Sequence, residues 1–283
     1  TGRFLSALLT AYEEETVRYV VLRNYEHWPE NFGKDVDLVV HPNDVQLSHT
    51  IIRRLARAFG LHWTVRAKRS SHRTYYLLPS PADGAERGVL LDIRTDLVHQ
   101  GLIYLPGELV LASRRRAHTF FVPSPALESL GILLHSIIDS CGVRDSYRDR
   151  LLALRTGDRQ EFITAATAVV GLRLAQRLTA CVAGGEPRAA LPLRGQLLRA
   201  AAFRNHGAVS RWLRSRSGAA WDKVRAFFRP PGELVICVGP DGAGKTTLST
   251  AIRERLEHTR IPASNVYLGA QSPLLPTRRL SQK

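Results

Sequence analysis

Asp35-Val36-Asp37-Leu38-Val39-Val40 is the stretch on which the fold turns. Four β-favouring apolar residues follow or separate two carboxylates, so the segment reads as a strand. Side chains alternate across a strand, which puts Asp35 and Asp37 on one face and Val36, Leu38 and Val40 on the other. Upstream, Tyr19-Val20-Val21-Leu22-Arg23 reads as a second strand behind an amphipathic helix. Downstream, Val89-Leu90-Leu91-Asp92-Ile93 is a third apolar strand, again carrying a carboxylate. Carboxylates on neighbouring strands can hold one or two Mg²⁺ ions against a nucleoside triphosphate, as in-line transfer to a hydroxyl requires. Asp35, Asp37 and Asp92 are therefore candidate metal ligands, with Asp96 a weaker substitute for the third.

This arrangement resembles the nucleotidyltransferase fold. That family's pattern is a hydrophobic residue, a Gly and Gly/Ser pair, about ten residues, Asp-x-Asp, and a third Asp on a later strand. Here Leu22-Arg23-Asn24 stands where the small pair would be, with ten residues between Asn24 and Asp35. Small residues at that place let a triphosphate approach the backbone; Arg23 can instead contact a phosphate itself.

A second signature lies near the other end. Leu234-Val235-Ile236-Cys237-Val238 reads as a strand leading into Gly239-Pro240-Asp241-Gly242-Ala243-Gly244-Lys245-Thr246-Thr247, a complete Gly-x-x-x-x-Gly-Lys-Ser/Thr loop, and an amphipathic helix should follow from Thr247 to Leu256. Gly239, Gly242 and Gly244 let the backbone turn and bring its N–H groups to phosphate oxygens. Lys245 would reach the β- and γ-phosphates, and the Thr246 hydroxyl would ligate Mg²⁺. The wording of the loop resembles that of thymidylate kinase and related nucleoside and nucleotide kinases. The resemblance implies that residues 239–247 hold ATP and that Asp241 helps to position phosphates or the acceptor. It covers about the last fifty residues. A second strand is expected around Asn265 to Leu268, yet the 53 residues from Pro231 to Lys283 fall short of the ~100 a doubly wound domain needs. With no Met and a start at Thr1, the chain reads as a piece of a longer protein.

Between these signatures the pattern is helical. Pro125 to Cys141 is apolar nearly throughout and carries His135 and Asp139, so it should be a buried helix that packs on the first domain and covers its cleft. From Leu151 to Arg229 there are 14 Lys or Arg against four acids, which places +10 of the net +15 in one Ala-, Leu- and Arg-rich segment. Breaks are expected near Gly184-Gly185, Pro187, Pro192 and Pro230-Pro231. Arg211-Trp212-Leu213-Arg214, Trp221 and Phe227-Phe228 mix basic and aromatic side chains, which would suit a solvated face or peripheral contact with an anionic membrane. Nucleic acid is not the expected partner, because charge alone supplies only sequence-independent binding. No run of 18 apolar residues occurs, and Cys141, Cys181 and Cys237 are odd in number and widely spaced, as in reduced cytoplasmic proteins.

The expected organisation is thus α/β and α+β: a nucleotidyltransferase-like mixed sheet with helices (1–122), a basic helical region and connector (123–229), and the start of a P-loop doubly wound domain (230–283). This order resembles bacterial two-part proteins often associated with surface polysaccharide biosynthesis. The leading expectation is a cytoplasmic, ATP- and Mg²⁺-dependent phosphotransferase acting on a nucleotide, sugar or lipid-linked intermediate, with Lys245 and Asp241 in the chemistry. Two alternatives stand beside it. One is nucleotidyl transfer at Asp35, Asp37 and Asp92; the other is a non-catalytic ATP-dependent switch or scaffold at a membrane.

Overall fold

The structure is a computed structural model and describes residues 2–23, 25, 35–69, 72–78, 88–117, 119–145, 147, 151, 159–204, 217, 235–240, 242–258 and 264. They belong to two compact units, Thr1–Pro231 and Gly232–Lys283.

The first unit is an α+β arrangement around a mixed sheet of five strands, as expected for a nucleotidyltransferase-like domain. Helix α1 (Gly2–Glu14) leads into β1 (Tyr19–Val21); β2 (Asp35–Val40) and α2 (Val45–Ala58) follow, and then β3 (His62–Arg69), β4 (His72–Leu78) and β5 (Val89–Arg94). The order across the sheet is β1-β2-β5-β4-β3. Only β2 and β5 run parallel, and their register sets Asp37 directly beside Asp92. Helix α2 and the β3–β4 hairpin together make the crossover that a parallel pair requires.

Alternation decides which side of the sheet each residue serves. Val36, Leu38 and Val40 of β2 pack with Phe4, Leu8 and Tyr12 of α1, Ile51 and Ile52 of α2, and Leu91 of β5. Val39 looks the other way and joins a separate apolar cluster with Leu130, Leu133 and Leu134. Asp35 and Asp37 therefore lie on the Val39 face, and Asp92 and Arg94 lie on the corresponding face of β5. Burying both faces explains why β2 is apolar at every position except its two carboxylates.

After β5 the chain makes a hairpin, β6 (Leu97–His99) and β7 (Leu102–Leu105), then helix α3 (Gly107–Ala112) and a second hairpin, β8 (Arg115–Ala117) and β9 (Phe120–Val122). Asp96 is used up here: its carboxylate accepts from Gly107 N (3.0 Å) and from Thr95 Oγ1 (3.1 Å), which fixes the hairpin against the start of α3. Helix α4 (Pro125–Ile138) is the expected buried helix. Ser124 caps it, accepting from Leu127 N, and Pro125 occupies the first turn, where a missing N–H costs nothing.

The helical region continues with α5 (Arg159–Val170), α6 (Leu172–Ala183), a 3₁₀ stretch over Pro187–Leu193, and α7 (Arg194–Arg204). Phe162, Ala166, Leu178 and Leu197 share the apolar cluster of α4, so these helices wrap the side of α4 away from the sheet. Gly184 and Gly185 end α6 as expected; the break between α5 and α6 is at Gly171, whose φ of +88° suits glycine. The aromatic and basic stretch 211–228 lies outside the described residues apart from Ser217. No helix among the described residues is long and apolar enough to cross a membrane.

In the second unit, helix α8 (Lys245–His258) forms as expected. The preceding segment does not form the expected strand: residues 235–240 have no regular structure, and Val235, Ile236 and Val238 are 63%, 64% and 89% exposed. A strand exists only through hydrogen bonds to a neighbour, and the described part of this unit offers none. Leu234 and the strand expected at Asn265 to Leu268 lie outside the described residues.

Candidate functional site

The sheet face that carries Asp37 meets α4 across an open cleft. Arg23, Asp37 and Arg94 form its charged floor; Tyr104, Glu128 and His135 add polar groups, and Leu22, Leu97 and Ile132 are among its apolar walls. Each functional side chain is held by a regular element or its end: Asp37 by β2, Arg94 by the last residue of β5, Arg23 by the loop after β1, and Glu128 and His135 by α4 one and three turns from its start.

Asp37 is 1% exposed, and both its oxygens are engaged. Arg23 approaches Oδ2 through its Nε at 2.7 Å and a terminal nitrogen at 2.6 Å. Arg94 donates from one terminal nitrogen to Asp37 Oδ1 and to Asp92 Oδ2, both at 3.0 Å, bridging the two carboxylates. The remaining oxygen of Asp92 accepts from Thr74 Oγ1 (2.5 Å), its neighbour in register on β4, and lies 3.3 Å from His72 Nε2. Arg23 also donates to the Tyr147 hydroxyl at 3.1 Å.

Burial opposes charge on Asp92, but the nearby His72, the hydrogen bond from Thr74 and the charge of Arg94 outweigh it and hold the carboxyl well below its usual range. Burial likewise opposes charge on both guanidiniums. The facing carboxylate Asp37 more than offsets it, so Arg23 and Arg94 stay charged.

At the other side of the cleft, His135 Nδ1 pairs with Asp139 Oδ2 at 3.0 Å, and His99 Nδ1 holds the second oxygen of the same carboxylate. Tyr104 OH lies 3.5 Å from His135 Nδ1. Burial disfavours charge on Asp139, yet its bonds to His135, His99 and Tyr104 lower its pKa overall. Glu128 is pushed upward by burial, against the opposing hydrogen bond that Tyr25 OH donates at 2.6 Å.

The structure thus brings Asp37 and Asp92 together, with Asp35 half-buried on the same face of β2 and in register with Leu90. The donor set does not fit the Mg²⁺ that the sequence resemblance implies. The gap between the paired carboxylates is filled by an Arg94 nitrogen, and the other two oxygens are engaged by Arg23, Thr74 and His72. Among the described residues no group of three or more His, Cys, Asp or Glu side chains is arranged to hold a metal ion. Arg94 was missed in the sequence. Its signal was available, since Asp92-Ile93-Arg94 alternates along a strand and must put Arg94 on the face of Asp92.

In the second unit, Gly242 and Gly244 adopt φ of +84° and +75°, as a tight phosphate-type loop requires. Lys245 Nζ donates to the carbonyls of Gly239 and Pro240, each at 2.6 Å. Ala243, Thr246 and Thr247 are exposed around the start of α8. Asp241 lies outside the described residues.

No family model matches the chain, and no curated protein matches it. Two solved structures show low similarity. One, described as a candidate nucleotidyltransferase from H. pylori, is 11% identical with a TM-score of 0.37, covering 69% of this chain and 95% of that one. The other, JHP933 from Helicobacter pylori, is 11% identical with a TM-score of 0.35, covering 70% of this chain and 94% of its own.

Proposed function

We propose that the first unit is a nucleotidyltransferase-like transferase that takes a nucleoside triphosphate in the cleft between the sheet and α4. The observation that carries this reading is the in-register pairing of Asp37 with Asp92 on parallel strands, with Arg23 and Arg94 held beside them at the cleft floor. Guanidinium groups suit phosphate oxygens because their donors match phosphate geometry and their charge is permanent. The apolar walls suit a base or sugar face. His135, which lines the cleft and is held through Nδ1 by Asp139, is the side chain there suited to take the proton of an acceptor hydroxyl. In the reaction proposed, the acceptor oxygen bonds to the α-phosphorus, the bond to the β-phosphate oxygen breaks, and pyrophosphate leaves.

Incubating the full chain with each nucleoside triphosphate and candidate sugar, nucleoside and nucleotide acceptors, with phosphorus NMR of the products, tests this. Acceptor-dependent pyrophosphate that disappears in Arg94→Gln and His135→Gln supports it. Acceptor-dependent ADP that disappears in Lys245→Ala would move the chemistry to the second unit.

That outcome is a second reading, favoured by one observation: Gly242 and Gly244, just before α8, both adopt left-handed φ. On it, the loop amides and Lys245 bind the phosphates of ATP, and Lys245 exchanges its loop carbonyls for phosphate oxygens. The exposed Thr246 hydroxyl would hold the Mg²⁺ that neutralises phosphate charge. The chain would then be a phosphotransferase acting on a nucleotide, sugar or lipid-linked acceptor, a surface polysaccharide precursor among them.

A further inference from the structure

The paired carboxylates of β2 and β5 occupy the place where a triphosphate-binding sheet of this kind would be expected to carry metal ions. We infer that Arg23 and Arg94 stand in for those ions. The cleft binds the phosphates of its ligand directly and without a divalent cation, and Asp37 and Asp92 position the two guanidiniums. This rests on the transferase reading of the cleft and specifies how its ligand is recognised.

Geometry is the first argument. An ion shared by Asp37 and Asp92 would have to stand between Asp37 Oδ1 and Asp92 Oδ2, and the Arg94 nitrogen already bonds both at 3.0 Å. Asp37 Oδ2 is taken by Arg23, and Asp92 Oδ1 by Thr74. Admitting a cation would mean expelling a guanidinium whose side chain is only 19% exposed.

Charge is the second. Arg23 and Arg94 offset the charges of Asp37 and Asp92 pair for pair and leave Asp35 as the one further carboxylate acting on Arg23, so the paired carboxylates themselves offer a divalent ion no net negative charge to repay its dehydration. A cation added to this quartet would face two fixed positive charges within a few ångströms.

Spare donor capacity is the third. Every side-chain bond of Arg94 to the carboxylates comes from a single nitrogen, and its Nε has no acceptor among the described residues. A guanidinium offers five N–H donors, so Arg94 can keep its hold on Asp37 and Asp92 while presenting others to a phosphate. Anchoring by buried carboxylates also means that little side-chain freedom is lost when the ligand arrives. In this arrangement Asp37 and Asp92 are positioning residues, and Arg23 and Arg94 touch the ligand.

The test is calorimetric titration of the full chain carrying Lys245→Ala, which silences the loop of the second unit, with ATP, GTP, CTP and UTP and with inorganic pyrophosphate. Each is run in excess EDTA and in excess Mg²⁺. The expected result is saturable binding of at least one probe with dissociation constants that agree within about threefold between the two conditions. Arg23→Gln and Arg94→Gln should each weaken it by about tenfold or more, the usual loss for a charge-assisted bond. Binding that appears only with Mg²⁺ would overturn the inference while leaving the transferase reading in place. Binding that is indifferent to both arginine substitutions would also overturn it, because the ligand would then lie elsewhere. No binding of any probe in either condition would overturn the inference and the transferase reading together. Thermal melting with Mg²⁺ or Mn²⁺ alone is a check that needs no arginine variant: no shift is expected, and a stabilisation abolished by Asp37→Asn would show that the carboxylates bind metal.

Discussion

Asp37 illustrates how far a single residue could be read. Its strand and its face were legible from alternation, because period two leaves no freedom in where a side chain points, and Asp92 was grouped with it and Asp35 as a strand-borne carboxylate; the pairing of Asp37 with Asp92 comes from the register of β5 on β2. What it touches was not legible. Arginine at the end of a strand is most often a solvated charge, and only the register of β5 on β2 brings Arg94 across both carboxylates. The consequence at this scale is that Asp37→Ala should leave the largely buried Arg23 without its carboxylate partner, while Arg94 keeps Asp92, and cost about 3 kcal/mol, measured by urea unfolding. His49 gives a prediction in pH. It is buried on α2, its Nδ1 bonded to Tyr75 OH, and burial, with the charges of Arg73 and Arg53, pushes its pKa down to about 4. An unfolded histidine titrates near 6.5, so as pH falls below that value the unfolded state takes up a proton that the folded state refuses. Stability should therefore drop from about pH 6.5 to about pH 4, by roughly 3 kcal/mol at most from this residue. His49→Gln should flatten that part of a plot of urea midpoint against pH.

Elements were legible where one segment alone fixes its state, and not where a partner does. Helix α4 announced itself by length and apolar content; the strand expected before the glycine-rich loop had the right residues and, in the described part, no neighbour. The β6–β7 and β8–β9 hairpins were missed because strands of three or four residues carry too little periodicity to register. Two substitutions test the joints between elements. A Cβ on Gly107 would stand 1.8 Å from the Thr95 carbonyl oxygen, backbone that cannot swing aside. Gly107→Ala should cost about 3 kcal/mol and lower the thermal midpoint accordingly. Ser124 both caps α4 and donates to Glu161 Oε1 at 2.6 Å, tying α4 to α5. Ser124→Ala should cost about 1 to 2 kcal/mol by chemical denaturation, against near neutrality for Ser124→Thr.

For the whole molecule, composition indicated a folded chain with enough apolar residues for substantial cores, and the α+β class followed from three strand-borne carboxylates among helices. The joining of the helical region to the sheet domain through α4 was legible only as a packing expectation, since no local signal says which helix faces meet. Among the described residues, every member of the apolar clusters lies before Gly232. A chain shortened to end at Pro231 should therefore melt at the same temperature as the full chain, as differential scanning calorimetry would show, and a fall of more than a few degrees would place part of the core's support in the second unit. The exposed run Val235, Ile236 and Val238 carries a different kind of consequence. A β-prone, uncharged segment with no backbone pairing among the described residues is a template for the same segment of another chain, and repeated addition makes fibrils. Concentrated solutions of the full chain should scatter light and bind amyloid dyes over time, whereas the chain ending at Pro231 stays clear; a lysine in place of Ile236 should suppress the turbidity without altering the melting of the first unit.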